Sequence, residues 1–255
     1  MLKRILLFAY GLACYAIFFV TFLYALGFVG NFVVPAAMDG VPRLGTGLAL
    51  AIDVGLLGLF AVQHSLMARP FFKRWLTRLI PESAERSTYV LFSSLALIVM
   101  FVFWQPLGGL VWDVRDPLWQ AVLYTLFAFG WLLVLVSTFL INHFDLFGLR
   151  QVWLQLLGRP YRPLKFGTPG PYKLVRHPLY LGWLFAFWAT PTMTGTHLLF
   201  AVMTTAYILI AIQLEERDLI DALGDDYRQY RARVPMIIPF LRAPRGRPQP
   251  EIAGR

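Results

Sequence analysis

Long stretches of the chain carry no charged side chain. Residues 5–34, 87–112, 118–144 and 178–214 have none, and 44–68 has only Asp53. A helix that crosses a bilayer needs about 20 apolar residues, so each run predicts a membrane helix. Lys3 and Arg4 precede the first run as they would a signal sequence, but a signal core is about 7–15 residues, so this longer run predicts a retained anchor. The last run would make roughly 55 Å of helix at about 1.5 Å per residue, against a hydrocarbon core of about 30 Å. Pro191 and Gly195 lie inside it. Proline removes a backbone donor and glycine frees the backbone, so this run predicts a helical hairpin that enters and returns on one side. The expected fold class is an all-α integral membrane protein. Four transmembrane helices occupy 1–144, a connector and the hairpin 145–240, and a flexible tail 241–255.

Composition agrees. Of 255 residues, 58% are hydrophobic and 15% are charged, where a soluble domain carries about 25% charged residues. Mean hydropathy is +0.61. Disorder, fibrous structure and an ordinary cytosolic enzyme are excluded. The single Cys14 excludes a disulfide within the chain and a cysteine-ligated metal. The four histidines, at 64, 143, 177 and 197, have no ligand spacing, so no metal is expected.

The net charge of +9 is unevenly placed. Of the 23 basic residues only Arg43 and Arg115 fall on one side of the predicted topology. The rest lie at the N-terminus, in 69–86, in 150–176 and in the tail. Lys/Arg-rich loops face the cytoplasm, so both termini are expected there, in a bacterial-type inner membrane. Attraction to anionic lipid accounts for the excess. Nothing resembles a nucleic-acid module, and no protein partner is called for beyond the lipid bilayer.

Polar groups inside a membrane are candidates for function. Asp53, Gln63 and His64 lie in the second run, Asn142 and His143 at the end of the fourth. His64 and the Asn142–His143 pair fall at the same predicted interface, whereas Asp53 sits roughly 16 Å along the helix from His64 and belongs to no common site. Near the C-terminus, Pro178 suits the first turn of a helix. This leaves Arg176 and His177 at its N-terminus, where free N–H groups favour an anion. Glu215 and Glu216 end the return arm, and as neighbours they point to different helix faces.

The assembled pattern is R-H-P-x-Y-x-G at 176–182, about 30 apolar residues, E-E-x-x-L at 215–219, G-x-x-Y-x-x-Y-x-x-R-V-P at 224–235 and P-F at 239–240. It resembles the isoprenylcysteine carboxyl methyltransferase family and its phospholipid methyltransferase relatives over roughly 170–240. Leu223 departs from the family, which often has Phe there. The resemblance implies a membrane methyltransferase using S-adenosyl-L-methionine without a Rossmann domain. Its cofactor-binding residues would be Tyr172, Leu174, Val175, Arg176, His177, Pro178, Tyr180, Gly182, Glu215, Glu216 and Arg233.

Further motifs lie at 27–35 (G-F-V-G-N-F-V-V-P), 63–70 (Q-H-S-L-M-A-R-P), 72–75 (F-K-R-W), 85–91 (E-R-S-T-Y-V-L) and 104–105 (W-Q). They are similar to the thiol S-methyltransferase branch. This implies a small thiol substrate, methanethiol converted to dimethyl sulfide, with hydrogen sulfide as a lesser one. The nucleophile would be a thiolate. His64 and His143, which titrate near neutral pH, are the candidate bases, with Arg86 as an anion stabiliser and Asn142 beside them. Competing expectations are a prenylcysteine or lipid methyltransferase, an NADPH-dependent membrane reductase with a similar tail, and a non-enzymatic membrane protein.

Overall fold

The computed structural model describes residues 1–239. Phe240 of the final motif and the tail 241–255, expected to be flexible, lie outside the described residues. Five helices are long and apolar enough to cross a membrane: α1 (Leu2–Gly30), α2 (Thr46–Ala68), α4 (Glu82–Phe103), α5 (Pro117–Leu140) and α9 (Gly195–Leu223). The protein is an all-α integral membrane protein, and the expected count of four long spans becomes five. Short helices α3 (Pro70–Leu76), α6 (His143–Leu146), α7 (Leu149–Leu156), α8 (Pro178–Trp188) and α10 (Asp225–Arg233), with a 3-10 turn at Gly170–Lys173, complete the helical set among the described residues.

The 178–214 run divides unequally. α8 has 11 residues and α9 has 29, about 16 Å and about 43 Å of helix. The break falls at Ala189–Thr194, where Pro191 cannot continue the helix and the Thr194 side chain caps α9 by accepting from the His197 N–H at 3.1 Å. Residues of this turn form a strand, β2 (Thr192–Thr194), paired antiparallel with β1 (Leu110–Asp113). The expected third span through 112 therefore ends at Phe103. Pro106, Gly108 and Gly109 follow, with φ of +70° and +71° at the glycines. At this ribbon end Asp53 Oδ1 accepts the Gln105 N–H at 2.9 Å, and Thr196 Oγ1 accepts the Leu107 N–H at 2.8 Å. Asp39 holds Asn31 at 2.7 Å and also bonds Thr194.

α8 packs along α5 because glycines face each other. A Cβ at Gly182 would meet the Gly130 carbonyl at 2.8 Å, and one at Gly130 would meet the Ala186 backbone N at 2.6 Å. Small residues let helix backbones approach where lipid provides no hydrophobic drive between helices. α4 is the most enclosed span. Its Thr88 bonds Tyr10 of α1 at 2.8 Å, and its Ser87 bonds the Gly148 carbonyl at 3.2 Å. The 145–176 segment, expected to be only a polar connector, contributes α7, whose buried Val152 packs onto Gly11 of α1.

The glycine contact predicts that Gly130→Val pushes α5 from α8. Overpacking of this kind costs about 1–3 kcal/mol, so the thermal unfolding midpoint in detergent should fall; an unchanged midpoint would refute the close contact.

Candidate functional site

At the end opposite the ribbon, the chain brings the 176–182, 215–219 and 224–235 segments together. Arg176 Nε donates to Glu216 Oε1 at 2.6 Å, and both side chains are almost wholly buried. His177 Nε2 lies 3.1 Å from the same oxygen. Arg231 Nε reaches Glu216 Oε2 at 3.1 Å. Arg176 Nη1 also donates to the carbonyls of Arg231 and Val234. The backbone N–H groups of Arg176 and His177 donate to Pro235 and Met236 at 2.8 and 3.1 Å. A buried charge must be paired and hydrogen bonded, and this set meets that condition.

This changes three expectations. Arg176 and His177 engage an internal carboxylate, Glu216, rather than standing open to an external anion. Arg233 is not in the network; its Nε donates to the Gln229 carbonyl at 3.2 Å on the surface, while Arg231, which the motif did not single out, contacts Glu216. Gly182 makes its close backbone approach to α5.

The neighbouring carboxylate is open. Glu215 is 46% exposed in its side chain. Its Oε2 accepts from the Tyr180 hydroxyl at 2.9 Å, and its Oε1 has no protein partner among the described residues. Burial, with the Glu215 charge nearby, raises the Tyr172 hydroxyl above the usual phenol range. The Tyr172 carbonyl accepts from the Tyr230 hydroxyl at 2.6 Å, and burial pushes the Tyr230 pKa up to about 12. Leu174 is exposed, whereas Val175 and Pro178 are buried. One half-exposed carboxylate flanked by tyrosine rings suits a cationic ligand.

The candidate catalytic residues separate into two places. His64 stacks on Phe60. Its Nε2 lies 2.8 Å from the Tyr89 hydroxyl and its Nδ1 3.1 Å from Ser93 Oγ. The Arg86 guanidinium sits 5.3 Å over the Tyr89 ring, while its Nε donates to the Leu146 carbonyl at 2.8 Å. Tyr89 of this group lies within electrostatic reach of Glu215, and the α2–α9 seam beside it is closed by Ser65–Tyr207 at 3.1 Å and Arg69–Asp218 at 3.0 Å. Asn142 and His143 lie elsewhere. The Asn142 side chain caps α6 by accepting from the Asp145 N–H. His143 is buried, with Tyr15 on Nε2 and Thr138 on Nδ1, both at 2.8 Å. Burial lowers its pKa, and both ring nitrogens are occupied. Among the described residues no cluster of three or more His, Cys, Asp or Glu gathers as a metal site.

Fold and site together define a helical membrane protein with a buried ion-pair clasp beside an open carboxylate, at one end of its spans. The curated relatives place it further. A protein of Crocosphaera subtropica named methanethiol S-methyltransferase is 56% identical over 94% of both chains. One of the same name from Mycobacterium tuberculosis is 53% identical over 94% of this chain and 98% of its own. A Bos taurus protein named Nurim is 34% identical over 67% of this chain and 68% of its own. The chain belongs to the methanethiol S-methyltransferase family. No family model matches the chain, and no solved structure matches it.

Glu216→Ala would strand Arg176 as a buried unpaired charge, a change that costs about 3–5 kcal/mol. The unfolding midpoint should drop by more than for Arg233→Ala, whose partner is an exposed carbonyl. Equal midpoints in a thermal scan would contradict the clasp.

Proposed function

We propose that this chain is a membrane methyltransferase that moves a methyl group from S-adenosyl-L-methionine to a small thiol, converting methanethiol to dimethyl sulfide and acting less well on hydrogen sulfide. The observation that carries the reading is the juxtaposition of two unlike half-sites. A half-exposed carboxylate with aromatic hydroxyls, at Glu215, Tyr180 and Tyr172, adjoins a titratable imidazole with a nearby cation, at His64 and Arg86. The curated relatives, named for methanethiol methylation, support it along nearly the whole chain.

When bound, the donor supplies an electrophilic methyl on a positively charged sulfur. Glu215 would hold its amine or ribose hydroxyls, Tyr180 and Tyr172 would face its cation, and exposed Leu174 would flank its adenine. Arg176, His177, Pro178, Val175 and Glu216 act by fixing those groups. The chain must also align the thiol with the methyl, and in well-oriented cases alignment lowers a barrier by about 7–11 kcal/mol. His64 would take up the thiol proton, and Arg86, whose terminal nitrogens have no side-chain or carbonyl partner among the described residues, would stabilise the sulfur anion. Asn142 and His143 serve this site by setting the turn that presents the Leu146 carbonyl to Arg86.

Orientation follows from charge. Arg43 and Arg115 lie at the ribbon end, and the other described basic residues lie in segments at the site end. By the positive-inside rule the site and both termini face the cytoplasm of a bacterial-type inner membrane, with α8 as the short arm from the site to the ribbon and α9 as its return. In this reading 1–144 carries the thiol pocket and 145–240 the donor site.

Purified protein in detergent, given S-adenosyl-L-methionine and methanethiol, should release dimethyl sulfide into the headspace, measured by gas chromatography. Turnover of a prenylcysteine and none of methanethiol would overturn the substrate assignment. Glu215→Gln removes a charged hydrogen-bond partner worth about 1.5–3 kcal/mol, so the donor Kd by calorimetry should rise about tenfold to a hundredfold.

A further inference from the structure

We infer that the Tyr89 hydroxyl is the group that meets the thiol, passing its proton to His64. The inference rests on the thiol-methylating reading above and adds to it a residue and a direction of proton flow.

Tyr89 is buried in α4, so its hydroxyl needs a partner. The partner is His64, at 2.8 Å from Nε2 and 3.1 Å from Nδ1. Ser93 Oγ lies 3.1 Å from Nδ1. The arrangement that satisfies all three groups puts the imidazole proton on Nδ1, donated to Ser93, and leaves Nε2 to accept from Tyr89. The phenol oxygen then keeps its lone pairs, with no other side chain or carbonyl on them among the described residues. Phe60 covers a face of the imidazole at 5.1 Å between centroids. The Arg86 guanidinium over the Tyr89 ring favours negative charge developing on the phenol oxygen. Glu215, Tyr207 and Tyr180 lie within electrostatic reach of Tyr89.

The step balances. The thiol sulfur's electron pair forms the bond to the methyl carbon, and the pair of the bond that breaks returns to the donor's sulfur. The S–H proton goes to the Tyr89 oxygen as the Tyr89 proton goes to His64 Nε2. The charge lost from the sulfonium appears as imidazolium, which the nearby Arg86 disfavours and so drives to release the proton to water.

The test is the pH profile of Tyr89→Phe at saturating donor, from about pH 6.5 to about 9.5, over which the small thiolate fraction of the substrate rises about tenfold per pH unit. At the low end kcat/KM should fall about a hundredfold, within the usual range for proton-transfer groups. The deficit should shrink as the pH rises and the thiol ionises unaided. Binding of S-adenosylhomocysteine, followed by calorimetry, should be unchanged. Ser93→Ala, which keeps the phenol, should show a smaller loss with the same pH dependence, and it serves alone if the Phe variant does not fold. A loss equal at every pH, no loss at low pH, or weakened S-adenosylhomocysteine binding would overturn the relay. Failure of the unsubstituted protein to methylate any thiol would instead sink the functional reading beneath it.

Discussion

Everything at the site end depends on one buried carboxylate. Glu216 of α9 receives Arg176 at 2.6 Å and the adjacent His177 at 3.1 Å from the entry to α8, and Arg231 at 3.1 Å from α10. Ionised groups buried this deeply are costly unless each is paired and hydrogen bonded. The network is therefore all or none: the entry to α8, the end of α9 and the turn after α10 come together or not at all. Its value is positional. With Glu216 occupied, the adjacent Glu215, about 100° further round α9, is left bonded to Tyr180 and half open.

The apolar packing serves the same geometry. α8 is too short to cross a bilayer by itself, and it is seated by the Gly130–Gly182 approach to α5. The ribbon of β1 and β2 closes the far end, so that α9 starts from a fixed turn and its register relative to α2 is set. That register places Tyr207 against Ser65 and Asp218 against Arg69, and with them the Glu215 group beside the His64 and Tyr89 group. The first half of the chain brings the imidazole and the second half the carboxylate.

Much of this was legible in the chain before folding. Charge-free runs marked the spans, because uncompensated charge in hydrocarbon is costly. Proline and glycine marked the break at 190–195, because a proline in the middle of a run cannot continue the helix and a glycine beside it frees the backbone. The R-H-P and E-E motifs marked the region of the clasp. The C-terminal motif and the N-terminal segments led to a methyltransferase resemblance that the curated relatives bear out.

The division of labour among those residues was not legible. Glu215 and Glu216 are chemically identical in sequence, and only the rotation of α9 buries one and opens the other. Arg231 and Arg233 are two positions apart, and only the docking of α10 selects Arg231. His64 and His143 both sit at helix ends, yet His143 has its two nitrogens taken by Tyr15 and Thr138, while His64 faces a tyrosine hydroxyl. Hydropathy and motif spacing are one-dimensional, so they determined which segments enter the membrane and which gather at its edge. Which face each side chain presents is a matter of helix rotation and contact between distant segments, and that was decided by packing alone.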